Sequence, residues 1–456
     1  MNVRDGGIRR TIYSMIVPIT IENILQMSTG IVSMAMIGRI SVTAVTIQGL
    51  CSRLTGILWC IFKGLSIGTS VFVARYYGAR DMERVKKVSQ QSILFSVVLA
   101  FILQILIYFQ GGNFLKLFNP GAEVMQEATF YLRVVSIGLV FQGISLITVG
   151  IMQGLGDAKI PMIISFVMNV VNIICGYILI FGHMGFNEMG IKGAAIALVL
   201  AQGASAALNL YVLFNRDGIL YTMRNKDFFK FDMVEIGRIC KIGTPSAFED
   251  LFWQFSAIIL TKVVLSFGEV PFAAHQLGLQ AESLSEMPSL GFGVAATTFV
   301  GQALGANNRK LGKSYVDEIT KGALIIMSIG SLLLILFPKQ VMRLLTDEKD
   351  VIELGAIYVR LMGFIQIPQN LSRVFNGALK AAGYTRLPML VAGIGLWGIR
   401  IPLSLILTYV FDTTIVTIWI IIAIDQLSRF ILSFILYKSK NIFADYPNKV
   451  GRKIQM

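Results

Sequence analysis

Apolar residues run along this chain in long unbroken stretches, not in the alternation of a strand. Twelve such stretches can be drawn: 12–37, 48–74, 89–110, 129–153, 160–182, 190–214, 239–265, 272–300, 316–337, 355–379, 387–411 and 414–437. A helix needs about 20 residues to cross the hydrocarbon of a bilayer. Runs such as 16–37 and 387–411 meet that length, and their continuity argues against a membrane β-barrel, whose strands alternate. The pattern therefore predicts an all-α membrane protein with twelve transmembrane helices joined mostly by short connections. The first run is too long for a cleavable signal and lacks a small-residue cleavage site, so it is expected to stay as the first membrane helix.

The twelve stretches form two sets of six related by an ungapped offset of 227. At that offset Gly64 maps to Gly291, Phe72 to Phe299, Gly78 to Gly305, Tyr131 to Tyr358, Arg133 to Arg360, Gly150 to Gly377, Gly156 to Gly383 and Pro161 to Pro388. Chance similarity does not keep one register over so many elements. Each repeat holds an even number of helices, so the two are parallel in the membrane, a common build for secondary transporters. Substrate is then expected between the halves. The predicted organisation is an N-terminal six-helix lobe over 1–214, a polar cytoplasmic linker over 215–238 and a C-terminal six-helix lobe over 239–456.

Composition agrees with the class. Of 456 residues, 55% are hydrophobic and 14% charged, with mean hydropathy +0.70, where a soluble protein carries about 25% charged residues. The net charge of +14 is read as the positive-inside bias of cytoplasmic loops. With a cytoplasmic N-terminus, 25 Lys and Arg fall on the cytoplasmic side, including Arg4, Arg9, Arg10, Arg80, Arg84, Lys86, Lys87, Arg224, Lys226, Lys230, Lys449, Arg452 and Lys453. Only Arg39, Lys116, Lys192, Lys339, Arg343 and Lys349 fall outside. That contrast places both termini in the cytoplasm of a cell with an inner or plasma membrane location. No basic, aromatic-rich soluble face suggests nucleic acid. No GxxxxGK[ST] loop exists to hold ATP. Cys51, Cys60, Cys175 and Cys240 show no metal or redox spacing, and His183 and His275 have no ligand-spaced companions, so neither metal nor cofactor is expected.

Polar residues inside apolar runs carry the functional signal. In the first helix Glu22, Gln26, Thr29 and Ser33 stand at +0, +4, +7 and +11, on one face. Lipid cannot satisfy such a stripe, so it faces protein or water; interhelical hydrogen bonding is the bland reading for all but the glutamate. The second helix carries Gln48, Ser52 and Thr55, which become His275, Leu279 and Glu282 in the eighth, with Glu286 one turn on. The segment GTPSAFEDLFWQ (243–254) repeats the Pro18–Glu22–Asn23 element as Pro245–Glu249–Asp250. An ionised group at mid-bilayer costs about 3 kcal/mol on insertion scales, so Glu249, Asp250, Glu282, His275 and Glu22 are candidates for binding a coupling ion, H⁺ or Na⁺, or a cationic substrate. Gln26, Ser33, Gln48 and Gln276 are candidate cavity-lining residues. A buried ion pair, for instance of Glu249 with Lys262, is the structural alternative. Asp425 and Arg429, four apart in the favourable order, are read as a structural pair, with Arg400 as a further partner.

These residues resemble the multidrug and toxic compound extrusion family. The resemblance is carried by Pro-x-x-x-Glu-Asn/Asp at 18–23 and 245–250, and by AAHQLGLQAESLSEMPSLGFGVAATTFVGQALGA at 273–306. GLGDAKIPM…NVVNI…GYILIFG, GIKGAAIA and the Trp419…Asp425…Arg429 run add to it. The resemblance implies two six-helix lobes in a V, alternating access, and export of amphipathic, often cationic compounds in exchange for H⁺ or Na⁺; a monomer is expected, in contact with membrane lipid and small-molecule substrates and working without ATP. Where many relatives carry an aspartate near the end of the first helix, this chain has Ser33. Where some carry a glutamate eight residues after the seventh-helix proline, it has Trp253, with Glu249 one turn away, so the acids of the C-terminal half, Glu249 foremost, are expected to carry the coupling. A lipid-linked-precursor flippase and a channel remain open; an intramembrane enzyme is disfavoured, since no nucleophile–base pair stands out.

Overall fold

A computed structural model describes residues 5–116, 118, 121–223, 229–411 and 413–443. Of the cationic residues used above for orientation, Arg4, Arg224, Lys226, Lys449, Arg452 and Lys453 lie outside the described residues. The fold is built from helices α1 (Asp5–Gly38), α2 (Val42–Gly78), α3 (Met82–Lys116), α4 (Ala122–Leu155), α5 (Lys159–Phe181), α6 (Gly190–Phe214), α7 (Met233–Leu265), α8 (Glu269–Gly305), α9 (Arg309–Leu336), the short α10 (Pro338–Arg343), α11 (Lys349–Ala381), α12 (Arg386–Gly393), α13 (Ile401–Val410) and α14 (Ile415–Ser439). A π-helical segment, Ile394–Arg400, joins α12 to α13 into one continuous span. Twelve long helical spans result, six per repeat, with α10 as a connector. Among the described residues ten helices are long and apolar enough to cross a membrane; α7 and α8, at 33 and 37 residues, have the length without an equally apolar stretch.

Local chemistry sets the helix ends. Ser41 accepts the Ala44 N–H at 3.0 Å at the start of α2, Asp81 the Arg84 N–H at 3.1 Å at α3, and Asp157 the Lys159 N–H at 2.8 Å at α5. Asn308 does the same for the Leu311 N–H at 3.0 Å at α9. Each satisfies a donor that has no partner inside the helix. Gly156 ends α4 in the left-handed region at φ 90°, and its repeat mate Gly383 has φ 83°, a conformation glycine adopts without a steric penalty.

The chain forms two compact units. One comprises residues 1–20, 78–80 and 248–456, the other residues 21–77 and 81–247. The breaks at 20/21 in α1 and 247/248 in α7 are themselves 227 apart, each two residues past the helix proline. In the unit of 21–247, hereafter the amide unit, one core gathers Ile47, Cys51, Phe62, Leu132 and Ala195, and a second gathers Val71, Val88, Ile147, Ile151 and Ile239. In the other, the ion-pair unit, the core gathers Val264, Ala274, Tyr358, Met362 and Trp419. Helices approach closely through small residues. A Cβ on Gly64 would lie 2.7 Å from the Gly243 carbonyl, and one on Gly291, its repeat mate, 3.1 Å from the carbonyl of Ile16, the repeat mate of Gly243. Apolar side chains such as Phe101, Ile102, Ile105 and Phe109 on α3 remain exposed, as a lipid-facing surface requires.

Candidate functional site

The amide unit encloses a cavity of about 400 Å³, within the range of small-molecule sites. Five helices supply its polar wall. The α1 stripe contributes Glu22, Gln26, Thr29 and Ser33, brought to one face by their spacing. α2 adds Gln48 and Trp59, and α4 adds Tyr131, Gln142 and Ser145. α5 gives Ser165, Asn169 and Asn172, and α6 gives Gln202, Ser205 and Asn209. Met36, Ile164, Met168 and Leu198 make the apolar remainder. Glu22 is the one carboxylate among the lining residues, and none of them is Lys, Arg or His.

Hydrogen bonds hold part of this wall in place. Gln26 Nε2 lies 3.4 Å from Glu22 Oε1, a weak donor contact along the helix. The Ser145 and Ser205 hydroxyls meet at 3.2 Å, and Asn209 Nδ2 donates to the Ser205 carbonyl at 2.9 Å. Other groups are shielded: Gln48 Oε1, Asn169 Nδ2 and Gln202 Oε1 are buried within the wall and have no hydrogen-bond partner among the described residues. A carboxylate flanked by amides and backed by methionines and two aromatic rings can hold a cation with an apolar body, and can equally take up H⁺ or a small metal cation such as Na⁺.

The other candidate acids lie in the ion-pair unit and do not line this cavity. Glu249 pairs with Lys380 Nζ at 2.7 Å. Lys262 is not the partner; 13 residues along the same helix is about 20 Å at 1.5 Å per residue. Glu282 accepts a 2.6 Å hydrogen bond from the Tyr358 hydroxyl. The Tyr358 ring meets His275 and Trp419 edge to face at 5.4 and 5.3 Å. Glu286 is held by Arg373 and by Gln369 Nε2 at 2.9 Å, and Arg373 also donates to Ser289 Oγ at 2.9 Å. Fully buried Asp425 accepts from Arg429 Nε and Nη2 at 3.0 and 3.1 Å and pairs with Arg400 Nη2 at 2.7 Å. The Trp253 ring stacks on both guanidiniums, 4.4 Å from Arg429 and 5.2 Å from Arg400. Asp250 and Gln276 are half-buried in this unit.

The sequence candidates thus separate. Glu22, Gln26, Ser33 and Gln48 meet in one cavity; Glu249, Asp250, His275, Gln276 and Glu282 belong to the other unit. Sequence reasoning passed over Gln142, Asn169, Asn172, Gln202 and Asn209. Their signal was present as neutral polar residues at helical spacing, Asn169 and Asn172 three apart, Gln202, Ser205 and Asn209 at +0, +3 and +7.

The family model for MatE matches residues 18–178 and 245–406, one match in each repeat, each starting at the helix proline. The chain belongs to the MatE family. It is a multi-pass membrane transporter of the multidrug efflux type. Among MatE relatives it is similar to a probable multidrug resistance protein NorM of Thermotoga maritima, 28% identical over 432 residues that cover 95% of this chain and 92% of the relative. It is 24% identical to the probable multidrug resistance protein YoeA of Bacillus subtilis, over 98% of this chain and 96% of that one. Its fold is that of a crystallised MATE transporter bearing a proline-to-alanine substitution (TM-score 0.88, 20% identity, 97% of each chain). It is also that of a MOP superfamily transporter from Pyrococcus furiosus described as having a reversed-polarity binding pocket (TM-score 0.87, 20% identity, 97% of each chain).

Proposed function

We propose that the protein is a secondary active exporter that exchanges H⁺ or Na⁺ for amphipathic, cationic drugs or toxic metabolites by alternating access, with the amide-unit cavity as the substrate site and Glu22 as the acid shared by substrate and coupling ion. The observation that carries this reading is the lone carboxylate in the cavity. One acid facing a drug-sized space can neutralise a cationic substrate or hold an ion, and occupancy by one disfavours the other. Differential binding of this kind is what shifts a population between inward- and outward-facing states. The acids of the ion-pair unit carry less of the coupling in this reading. Glu249, Glu286 and Asp425 have cationic partners, and such pairs are costly to break; Glu282 is buried under the Tyr358 hydroxyl and does not line the cavity.

Further points belong to the same proposal: a monomer in the cell membrane, both termini cytoplasmic, driven by an ion gradient and not by ATP. The test is export of a cationic dye from cells and uptake into proteoliposomes under separately imposed pH and Na⁺ gradients, for wild type and Glu22→Gln. Wild type is expected to respond to one gradient, and Glu22→Gln to lose at least about tenfold in gradient-driven rate, a loss of about 1.4 kcal/mol or more in transition-state terms, at unchanged protein level. Full activity of Glu22→Gln would sink the assignment.

A further inference from the structure

The make-up of the cavity wall specifies more than a positive charge. We propose that this site selects singly charged cations that also carry several hydrogen-bonding groups, such as hydroxylated or amide-bearing amines. It discriminates against lipophilic cations without such groups and against compounds with two positive charges. The inference rests on reading the amide-unit cavity as the substrate site.

The charge of the wall is minimal. Glu22 is the one acid lining the cavity among the described residues. A ligand with one positive charge meets one counter-charge. A second positive charge enters a space with no other carboxylate and loses its hydration without compensation, which is unfavourable in a low-dielectric surrounding.

The wall's hydrogen-bonding capacity is large. Seven side-chain amides line the space, each offering both donor and acceptor atoms. A ligand with hydroxyl, amide or amine groups exchanges hydrogen bonds with the amide atoms that face the space. A phosphonium or bare aromatic cation covers those atoms and displaces the water they bind without replacing its hydrogen bonds, at a cost each time. Sites built to hydrogen-bond a ligand reject analogues that lack the bonding group far more strongly than apolar pockets reject a size change.

The fold itself does not demand neutral residues here. At the repeat offset Gln48 corresponds to His275, Trp59 to Glu286 and Leu146 to Arg373, and in the ion-pair unit Glu286 and Arg373 are salt-bridged. The same helix positions accept charge in one unit and present neutral groups in the other. The neutral wall is a property of this cavity.

The experiment is direct binding to the purified full-length protein in lipid nanodiscs, by calorimetry, with three probes. Lincomycin is a singly charged amine bearing an amide and a hydroxylated sugar; tetraphenylphosphonium is singly charged with no hydrogen-bonding group; pentamidine carries two amidinium groups. Lincomycin is expected to bind at least about tenfold more tightly than either of the others, a difference of about 1.4 kcal/mol. Asn169→Leu and Gln142→Leu are expected to weaken lincomycin about tenfold and to leave tetraphenylphosphonium unchanged or tighter. Equal or tighter binding of tetraphenylphosphonium or pentamidine overturns the proposal, as does undetectable binding of lincomycin. Leucine variants that weaken all probes alike overturn it too. If a variant does not fold, the wild-type ranking decides. Transport is read separately in proteoliposomes: binding with this preference but no movement under either gradient contradicts the exporter reading and leaves the selectivity intact.

Discussion

Glu22 and Glu249 hold the same place in the two repeats and have different surroundings. Glu22 faces an amide-lined cavity and a weak contact from Gln26; Glu249 sits 2.7 Å from Lys380. The difference has a measurable consequence. Glu249→Gln strips a half-buried lysine of its counter-charge and is expected to destabilise the protein by about 2 kcal/mol, below the full cost of breaking a deeply buried pair. Glu249→Gln with Lys380→Met is expected to recover most of that loss, read as melting temperature in detergent. Equal loss in the single and double variants would show that the pair is not what holds these groups. Such partners are not legible in a sequence, because Glu249 and Lys380 lie on helices distant along the chain. The Asp425–Arg429 contact is a local i, i+4 pattern and visible there, whereas its third member, Arg400, reaches it from the end of the π-helical segment. The cavity amides were hidden for another reason: a neutral amide in an apolar run is as common in a helix interface as in a binding site, and only convergence in space tells the two apart.

At the scale of elements, the start of α7 shows how a polar segment is tied to the amide unit. The Gln91 side chain donates to the Lys230 carbonyl at 2.6 Å and accepts the Asp232 N–H at 2.8 Å, as a neighbouring strand residue would. Asp232 accepts the Val234 and Glu235 N–H groups at 3.0 and 3.1 Å and pairs with Lys87 at 2.6 Å. The Lys87 ammonium, then the Glu235 N–H, hold the Asp232 carboxyl below its ordinary value of 3.8. A lowered folded-state value means the contribution to stability is fully present above the ordinary value and is lost as pH falls through the lower one. Hydrogen exchange at Val234 and Glu235, corrected for intrinsic rates, is therefore expected to keep its protection from neutral pH down to the carboxylate range and to lose it below. Asp232→Ala is expected to lose it at all pH values, and Gln91→Leu to lose it at Asp232. Unchanged exchange in both variants would refute the clip. The long helices themselves were legible, since an apolar run of bilayer length has few alternatives to a helix. The π-helical turn Ile394–Arg400 was not, because no composition rule marks where one extra residue enters a turn.

At the scale of the molecule, the parallel repeat governs the architecture. The offset of 227, found from residue identities, recurs in the Gly64–Gly243 and Gly291–Ile16 approaches, in the breaks between compact units and in the two matches to the family model. Symmetry of fold leaves asymmetry of content: one repeat places neutral amides around one acid, while the other pairs Glu249, Glu286 and Asp425 with lysine and arginines and Glu282 with the Tyr358 hydroxyl. The Lys and Arg distribution makes its own prediction at this scale. Reporter fusions at the C-terminus and after Lys230 are expected to be active as cytoplasmic reporters, and a fusion after Lys192 as an external one; the reverse pattern would invert the orientation. The central claim is competition of substrate cation and coupling ion for Glu22, and linkage makes that competition reciprocal. The most direct test is to add a bound cationic substrate to purified protein in weakly buffered solution, with and without Na⁺, and to measure the ion displaced. The account predicts release of about one H⁺ or one Na⁺ per substrate bound by the wild type, and none by Glu22→Gln. Substrate binding that displaces neither ion from the wild type, or displaces the same number from Glu22→Gln, would contradict it.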